Sequence, residues 1–149
     1  MKNCTIVPIF VDTNVLVYAR DTSQPTKQPQ AGAWVRHLIQ TRQGRLSYQV
    51  LQEYYVTTTR KLRPGLPVEQ ARADIRDLLS WAPVAIDDIV LEGAWEIEER
   101  FGLSFWDSLI VSAAHSCGCT HLLSEDLQHE ADLDGLVVVN PFLTKPPAH

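Results

Sequence analysis

Apolar residues along this chain follow two different spacings. Short apolar runs bounded by polar residues predict strands at residues 5–11, 45–48, 83–86, 121–123 and 136–139. Between them, apolar residues recur every three or four positions, which predicts helices at residues 13–20, 31–43, 51–62, 68–79, 88–101 and 105–117. The proline-containing segments 24–30 and 64–67 predict a loop and a turn.

This alternation of strands and helices predicts an α/β domain. We expect a mostly parallel central sheet of four to five strands with helices on both faces. A chain of 149 residues suits one domain, with a core over about residues 5–140 and a C-terminal tail at residues 141–149. In such sheets, functional sites form outside the carboxyl ends of the strands.

The charge of the chain is unevenly distributed. The net charge of −5 by itself argues against a nucleic-acid partner. However, residues 36–76 contain eight basic and three acidic side chains, whereas residues 77–149 contain two basic and thirteen acidic ones. The basic stretch is compatible with an electropositive face that binds phosphates, and equally with ordinary solvated helix surfaces.

The apolar start of the chain is not typical of a membrane segment. Asp12 and Asn14 interrupt the run from Cys4 to Ala19, which is shorter than the roughly 20 apolar residues that a spanning helix needs. We therefore expect a soluble cytoplasmic protein without a membrane partner.

The three cysteines are Cys4, Cys117 and Cys119, and such a sparse set does not indicate a disulfide framework. The spacing in the Cys117–His121 segment does not match a common zinc site, and no second cysteine pair is present. The pattern is typical of a helix end, a glycine cap and the start of a buried strand.

Three aspartates are candidates for a shared site at one edge of the sheet. Asp12 directly follows the first predicted strand, Asp126 follows the strand at 121–123, and Asp107 lies in the first turn of a helix. Taken singly, each is also explained by helix capping or by a polar turn. Taken together, carboxylates crowded into one crevice repel one another, and a hard divalent cation such as Mg²⁺ would remove that repulsion.

Four motifs in this order resemble those of PIN-domain ribonucleases, most closely the VapC-type toxins of bacterial toxin–antitoxin pairs. The resemblance extends from about Ile6 to Asn140. Its motifs are residues 11–14 (VDTN), Glu53 in a helix after a short strand, residues 105–108 (FWDS) and residues 123–126 (LSED).

The resemblance implies a set of site residues. The acidic quartet of the family corresponds to Asp12, Glu53, Asp107 and Asp126, of which the three aspartates would bind metal. Asn14 and Ser124 match accessory polar positions, and Glu125 is a possible helper. From the pattern alone, Glu53 is an exposed helical glutamate, and only the resemblance assigns it a role.

The resemblance also implies a function. It predicts a PIN-like fold and an Mg²⁺- or Mn²⁺-dependent endoribonuclease that hydrolyses RNA phosphodiester bonds. The expected partners are an RNA substrate, a cognate antitoxin protein and a second copy of the chain in a homodimer. The basic residues that trail the Glu53 helix are candidate phosphate contacts, namely Arg60, Lys61 and Arg63.

Other functions are compatible with parts of this pattern. A phosphatase or phosphotransferase with an aspartate nucleophile commonly has a second aspartate two residues later, where this chain has Asn14. A DNA 5′-nuclease uses similar acids in a longer chain. A non-catalytic nucleic-acid-binding module that retains the PIN fold is a further alternative.

Overall fold

A computed structural model describes residues 6–148 of the chain. Within that range, one five-stranded sheet has the strand order β2-β1-β3-β5-β4. Three parallel pairings join β2 to β1, β1 to β3 and β3 to β5, and β4 is antiparallel to β5 at one edge. The strands are β1 (Ile9–Val11), β2 (Gly44–Arg45), β3 (His121–Leu123), β4 (Asp132–Leu133) and β5 (Leu136–Val139). The predicted α/β class with a mostly parallel sheet is confirmed.

Six α-helices connect or flank these strands in the described part of the chain. They are α1 (Thr13–Tyr18), α2 (Lys27–Thr41), α3 (Tyr48–Val56), α4 (Val68–Leu78), α5 (Asp88–Phe101) and α6 (Phe105–Ser116). A π-helical turn (Thr57–Lys61) extends α3, and a 3₁₀ turn (Leu79–Trp81) follows α4. Between residues 6 and 148, no helix has both the length and the apolar character that crossing a bilayer requires.

The register of the central strands determines where the site forms. Phe10 and Val11 of β1 are fully buried and lie beside Leu122 and Leu123 of β3. Because the two strands are parallel, the residues that follow them emerge at the same edge of the sheet. The backbone N–H of Asp12 accordingly donates to the carbonyl of Leu123 at 2.9 Å.

Helices α5 and α6 begin and end close to where their capping residues predict. Asp87 accepts a hydrogen bond from the backbone N–H of Val90 at the start of α5, and Gly102 adopts a left-handed φ of 66° at its end. Ser104 accepts from the backbone N–H of Asp107 at 3.1 Å and caps α6.

The predicted limits of α2 are wrong at both ends. Residues 27–30 of the expected loop form its first turn. Proline is tolerated at position 29 because backbone N–H groups in the first turn of a helix make no bond within the helix, so none is lost. At the other end, α2 stops at Thr41 because Arg42 takes a left-handed φ of 58°. Gly44 therefore does not end the helix and instead begins β2.

Several predicted strands are shorter than expected or missing. The strand expected at 45–48 is limited to Gly44–Arg45, because Ser47 caps α3 through the N–H of Val50. Residues 83–86 form only an isolated bridge between Val84 and Ser47. The first strand begins at Ile9 instead of Thr5, which lies outside the described residues. The two-residue strand β4 is too short to give an apolar pattern.

We predict that Gly44→Ala destabilises the protein. An added Cβ would lie 2.4 Å from Cζ3 of Trp81 and 2.7 Å from two further ring atoms, so the indole must shift. Such overpacking costs about 1–3 kcal/mol of unfolding free energy, measurable by urea denaturation.

Gly32→Ala in α2 is the matched control. Its Cβ would meet only the flexible end of Arg36 at 3.3 Å, and alanine is the better helix former by about 1 kcal/mol. An unchanged urea midpoint for Gly44→Ala would contradict the packing of Trp81 against β2.

Candidate active site

Asp12 is the most buried acid at the carboxyl edge of the sheet. The residue is 6% exposed and follows the fully buried end of β1. One carboxylate oxygen accepts from the backbone N–H of Thr13 at 2.7 Å, and this hydrogen bond caps α1. The other oxygen accepts from the Ser124 hydroxyl at 2.8 Å. Asp12 is therefore both a helix cap and a desolvated carboxylate held in place by two donors.

Asn14 connects the loops that follow β1 and β3. Its amide nitrogen donates to a carboxylate oxygen of Asp126 at 3.1 Å, and its carbonyl oxygen accepts from the N–H of Glu125 at 3.2 Å. The Ser124 hydroxyl also accepts from the N–H of Asp126 at 3.2 Å. These contacts hold the exposed Asp126 carboxylate, in the loop after β3, next to Asn14 in the segment after β1.

Glu53 and Asp107 reach the same edge from two helices. The Thr13 hydroxyl donates to Glu53 at 3.1 Å, which links α3 to the residue after Asp12. Asp107 lies half-buried in the first turn of α6. The negative charges of Asp107 and Asp126 both raise the pKa of Asp12 and of Glu53, so the four carboxylates share one electrostatic environment.

Desolvation is the largest influence on the pKa of Asp12, of Glu53 and of Asp107. Burial raises the pKa of Asp12 to about 7, while hydrogen bonds from Ser124 and Thr13 partly oppose the rise. Burial likewise raises the pKa of Glu53 and of Asp107 above their ordinary values, and neighbouring carboxylates add to both shifts. Asp12, Glu53 and Asp107 thus retain protons more readily than isolated carboxylates would, and together with Asp126 they make up the acidic pocket.

The side chain of Glu125 is engaged elsewhere. Its carboxylate forms an ion pair with Lys27 at the start of α2. The Lys27 ammonium also lies 4.9 Å from the centre of the Tyr18 ring and 5.1 Å from that of Phe142. Of the two adjacent acids, Asp126 is therefore the one whose carboxylate contacts Asn14.

The three candidate phosphate contacts occupy different positions. Lys61 and Glu53 line the same shallow depression next to the π-helical turn. Arg60 and Arg63 are exposed but do not line that depression, and the Arg63 guanidinium donates to the carbonyls of Arg60 and Leu62. Of the three, only Lys61 lines a depression that an acid of the quartet also lines.

Gln49 is a site neighbour that the sequence analysis missed. It lies one turn before Glu53 on α3 and is 6% exposed, and its side chain lowers the pKa of Glu53, against the larger raising effect of burial. Its amide nitrogen also donates to the carbonyl of Trp106 at 3.3 Å, next to Asp107. Its buried amide oxygen has no hydrogen-bond partner among the described residues. A polar residue four positions before a candidate acid is the signal that could have identified it.

The donor set of this pocket suits a hard divalent cation. Among residues 6–148, the ion pairs that form do not involve Asp12, Glu53, Asp107 or Asp126, so no basic side chain neutralises the quartet. In the same range, no three His, Cys, Asp or Glu side chains are already grouped as metal ligands. Mg²⁺ commonly uses only one or two protein carboxylates, with waters and substrate phosphates as its other ligands.

The acidic residues thus lie at the carboxyl ends of the central parallel strands, where open α/β sheets form their functional sites. The PIN domain family matches residues 9–131, most of the chain, and the chain belongs to this family. PIN domains are generally nucleases that bind RNA and use divalent metal ions. A search of curated proteins gave no match.

The raised pKa of Asp12 predicts a stability that depends on pH. The ordinary pKa of an aspartate is 3.8, and that of Asp12 in the folded protein is about 7. Between these two pH values, Asp12 holds a proton in the folded protein that it releases in the unfolded chain. Metal-free wild-type protein should therefore lose stability as the pH rises through that window. Asp12→Asn cannot ionise, so at pH 8 it should be more stable than wild type by up to about 4 kcal/mol.

Urea denaturation in EDTA at pH 5 and pH 8 measures this difference. Asp134→Asn, an exposed acid paired with Arg100, is the control and should have a small effect at both pH values. If Asp12→Asn and wild type differ equally at pH 5 and pH 8, Asp12 is not the buried titrating group.

Proposed function

We propose that this PIN domain is an Mg²⁺- or Mn²⁺-dependent endoribonuclease and the toxin of a type II toxin–antitoxin pair. The observation that carries the nuclease proposal is the shared electrostatic environment of Asp12, Glu53, Asp107 and Asp126, none of which forms an ion pair within residues 6–148. Such uncompensated negative charge favours cation binding over a purely structural role.

The metal ligands would be Asp12 and Asp107, with Asp126 completing the set. A bound divalent ion supplies Lewis-acid polarisation of a phosphodiester oxygen and lowers the pKa of a bound water. Asp12 is held by Ser124 and Thr13, so its carboxylate is already oriented before an ion arrives. Asn14 orients Asp126 in the same way.

Glu53 would orient or deprotonate the attacking water. Its pKa is raised by burial, which brings a carboxylate closer to the basicity that a general base needs near neutral pH. The Thr13 hydroxyl fixes one Glu53 oxygen at 3.1 Å and so directs the carboxylate toward the loop that holds Asp12.

The toxin part of the proposal rests on the resemblance of the motifs at residues 11–14, 105–108 and 123–126 to VapC-type toxins. The resemblance implies inhibition by a cognate antitoxin and assembly as a homodimer, and we further propose a cytoplasmic protein with one PIN-like domain over residues 1–149. Co-purification of the chain with the product of a neighbouring small gene, with loss of RNA cleavage in the complex, would test this part.

We predict that Asp12→Asn and Asp107→Asn each reduce RNA cleavage at least about 100-fold, because a lost ligand removes several kcal/mol of transition-state stabilisation. The measurement uses labelled single-stranded RNA with Mg²⁺ or Mn²⁺, with and without EDTA. Asp134→Asn makes the same chemical change outside the pocket and should cleave as wild type does.

The same assay separates the alternatives. Cleavage that persists in EDTA would overturn the metal-dependent mechanism. Release of inorganic phosphate from a phosphomonoester, without RNA cleavage, would favour the phosphatase. Binding of Mn²⁺ and RNA without turnover would favour a non-catalytic module.

We predict that Lys61→Met weakens RNA binding more than Arg63→Met does. Lys61 shares a depression with Glu53, whereas Arg63 bonds to backbone carbonyls of its own turn. Loss of one phosphate contact should also lower the slope of log Kd against log salt concentration by about one. Fluorescence anisotropy at several salt concentrations, with Asp107→Asn as background to prevent cleavage, measures both effects. Equal slopes for the two variants would contradict this placement.

A further inference from the structure

Two thiols meet at the turn between α6 and β3, at the end of each element opposite the acidic pocket. The Sγ atoms of Cys117 and Cys119 lie 3.4 Å apart. Cys117 caps the C-terminus of α6, and Gly118 adopts a left-handed φ of 70° before the chain enters β3. This reversal turns both cysteine side chains toward each other, so a disulfide of about 2.0 Å requires an approach of about 1.4 Å.

The two sulfurs have different environments. Cys117 is half-buried, and its hydrogen bond with Cys119 together with the charge of Arg45 lowers its pKa. Cys119 is buried, and its hydrogen bond to Cys117 and its burial raise its pKa. Cys117 is thus suited to be the attacking thiolate and Cys119 the thiol that resolves the intermediate.

We propose that Cys117 and Cys119 form a reversible dithiol–disulfide site that reacts with low-molecular-mass disulfides such as glutathione disulfide. The Cys117 thiolate attacks one sulfur of the small disulfide, whose S–S bond breaks to release one thiolate that takes up a proton. Cys119 then loses its proton and attacks the Cys117 sulfur, which forms the internal disulfide and releases the second thiol. The two protein thiols are oxidised, and the small disulfide is reduced to two thiols.

A role in ending the helix explains Gly118 but not the second sulfur. The Cys117 sulfur contacts the carbonyl of Ala113 at 3.3 Å, a contact that a serine hydroxyl would make equally well. A metal site is not supported either, because the described residues contain no group of three or more His, Cys, Asp or Glu metal ligands. A pair of sulfurs in contact, one of them accessible and favoured as thiolate, is what two-electron thiol–disulfide exchange needs.

The test uses the full chain carrying Cys4→Ser, which leaves Cys117 and Cys119 as its cysteines. The folded protein is equilibrated with mixtures of oxidised and reduced glutathione, the reaction is quenched, and free thiols are alkylated. The mass of the intact protein is then measured by mass spectrometry. We expect the loss of two hydrogen masses and protection of both cysteines from alkylation as the oxidised fraction rises. Dithiothreitol should reverse the change.

Two further variants identify the roles of the two sulfurs. Adding Cys119→Ser should trap a stable glutathione adduct on Cys117, whereas adding Cys117→Ser should react at least about 10-fold more slowly, because the remaining thiol is buried. Circular dichroism confirms that each variant is folded.

Two results would overturn the proposal. One is a folded Cys4→Ser protein that stays reduced at every glutathione ratio while the urea-unfolded protein oxidises. The other is a stable glutathione adduct in the protein that retains both cysteines. The first measurement needs no change to Cys117 or Cys119, so it does not depend on how the variants fold.

Discussion

The burial of Asp12 at the end of β1 is the constraint on which the site depends. Parallel pairing of β1 with β3 places Ser124 beside Asp12, and the serine hydroxyl satisfies one carboxylate oxygen. Two hydrogen bonds do not offset the cost of desolvating a carboxylate, so the pKa of Asp12 rises to about 7. The fold therefore maintains a poorly solvated acid at the edge of its core, which an apolar residue could occupy at lower cost.

In the described part of the chain, the side chains that hydrogen-bond to Asp12, Glu53 and Asp126 are neutral and polar, not basic. Asn14 bonds to the loop that carries Asp126, Thr13 bonds to Glu53 on α3, and Gln49 connects α3 to the first turn of α6. An arginine in any of these positions would neutralise the pocket and occupy the space of an ion. Amides and hydroxyls fix the geometry of the acids while leaving their negative charge in place.

Functional sites of parallel α/β sheets lie beyond the carboxyl ends of the strands, and this rule explains which part of the site could be predicted from the sequence. Asp12 and Asp126 follow strands that give clear apolar patterns, and Asp107 follows a capping serine. Glu53 gives no such signal, because it lies on an exposed helical face and meets the site only through tertiary packing of α3. The same limit applies to β2 and β4, whose two residues are too few for a period, and to α2, where the prolines at 25 and 29 favour a loop.

The free-energy penalty of holding ionised acids in the folded protein also couples folding to ion binding. In the metal-free protein, an ionised Asp12 opposes the folded state at neutral pH, and the charges of Asp107 and Asp126 add to that penalty. An ion that binds the folded pocket but not the unfolded chain would stabilise the protein by mass action and favour the ionised form of the same acids. Since the described acids are not already grouped as three metal ligands, small side-chain movements would have to accompany binding. A substrate phosphate that completed the coordination shell would help to hold the acids in their metal-binding positions. RNA binding would then favour the catalytic geometry.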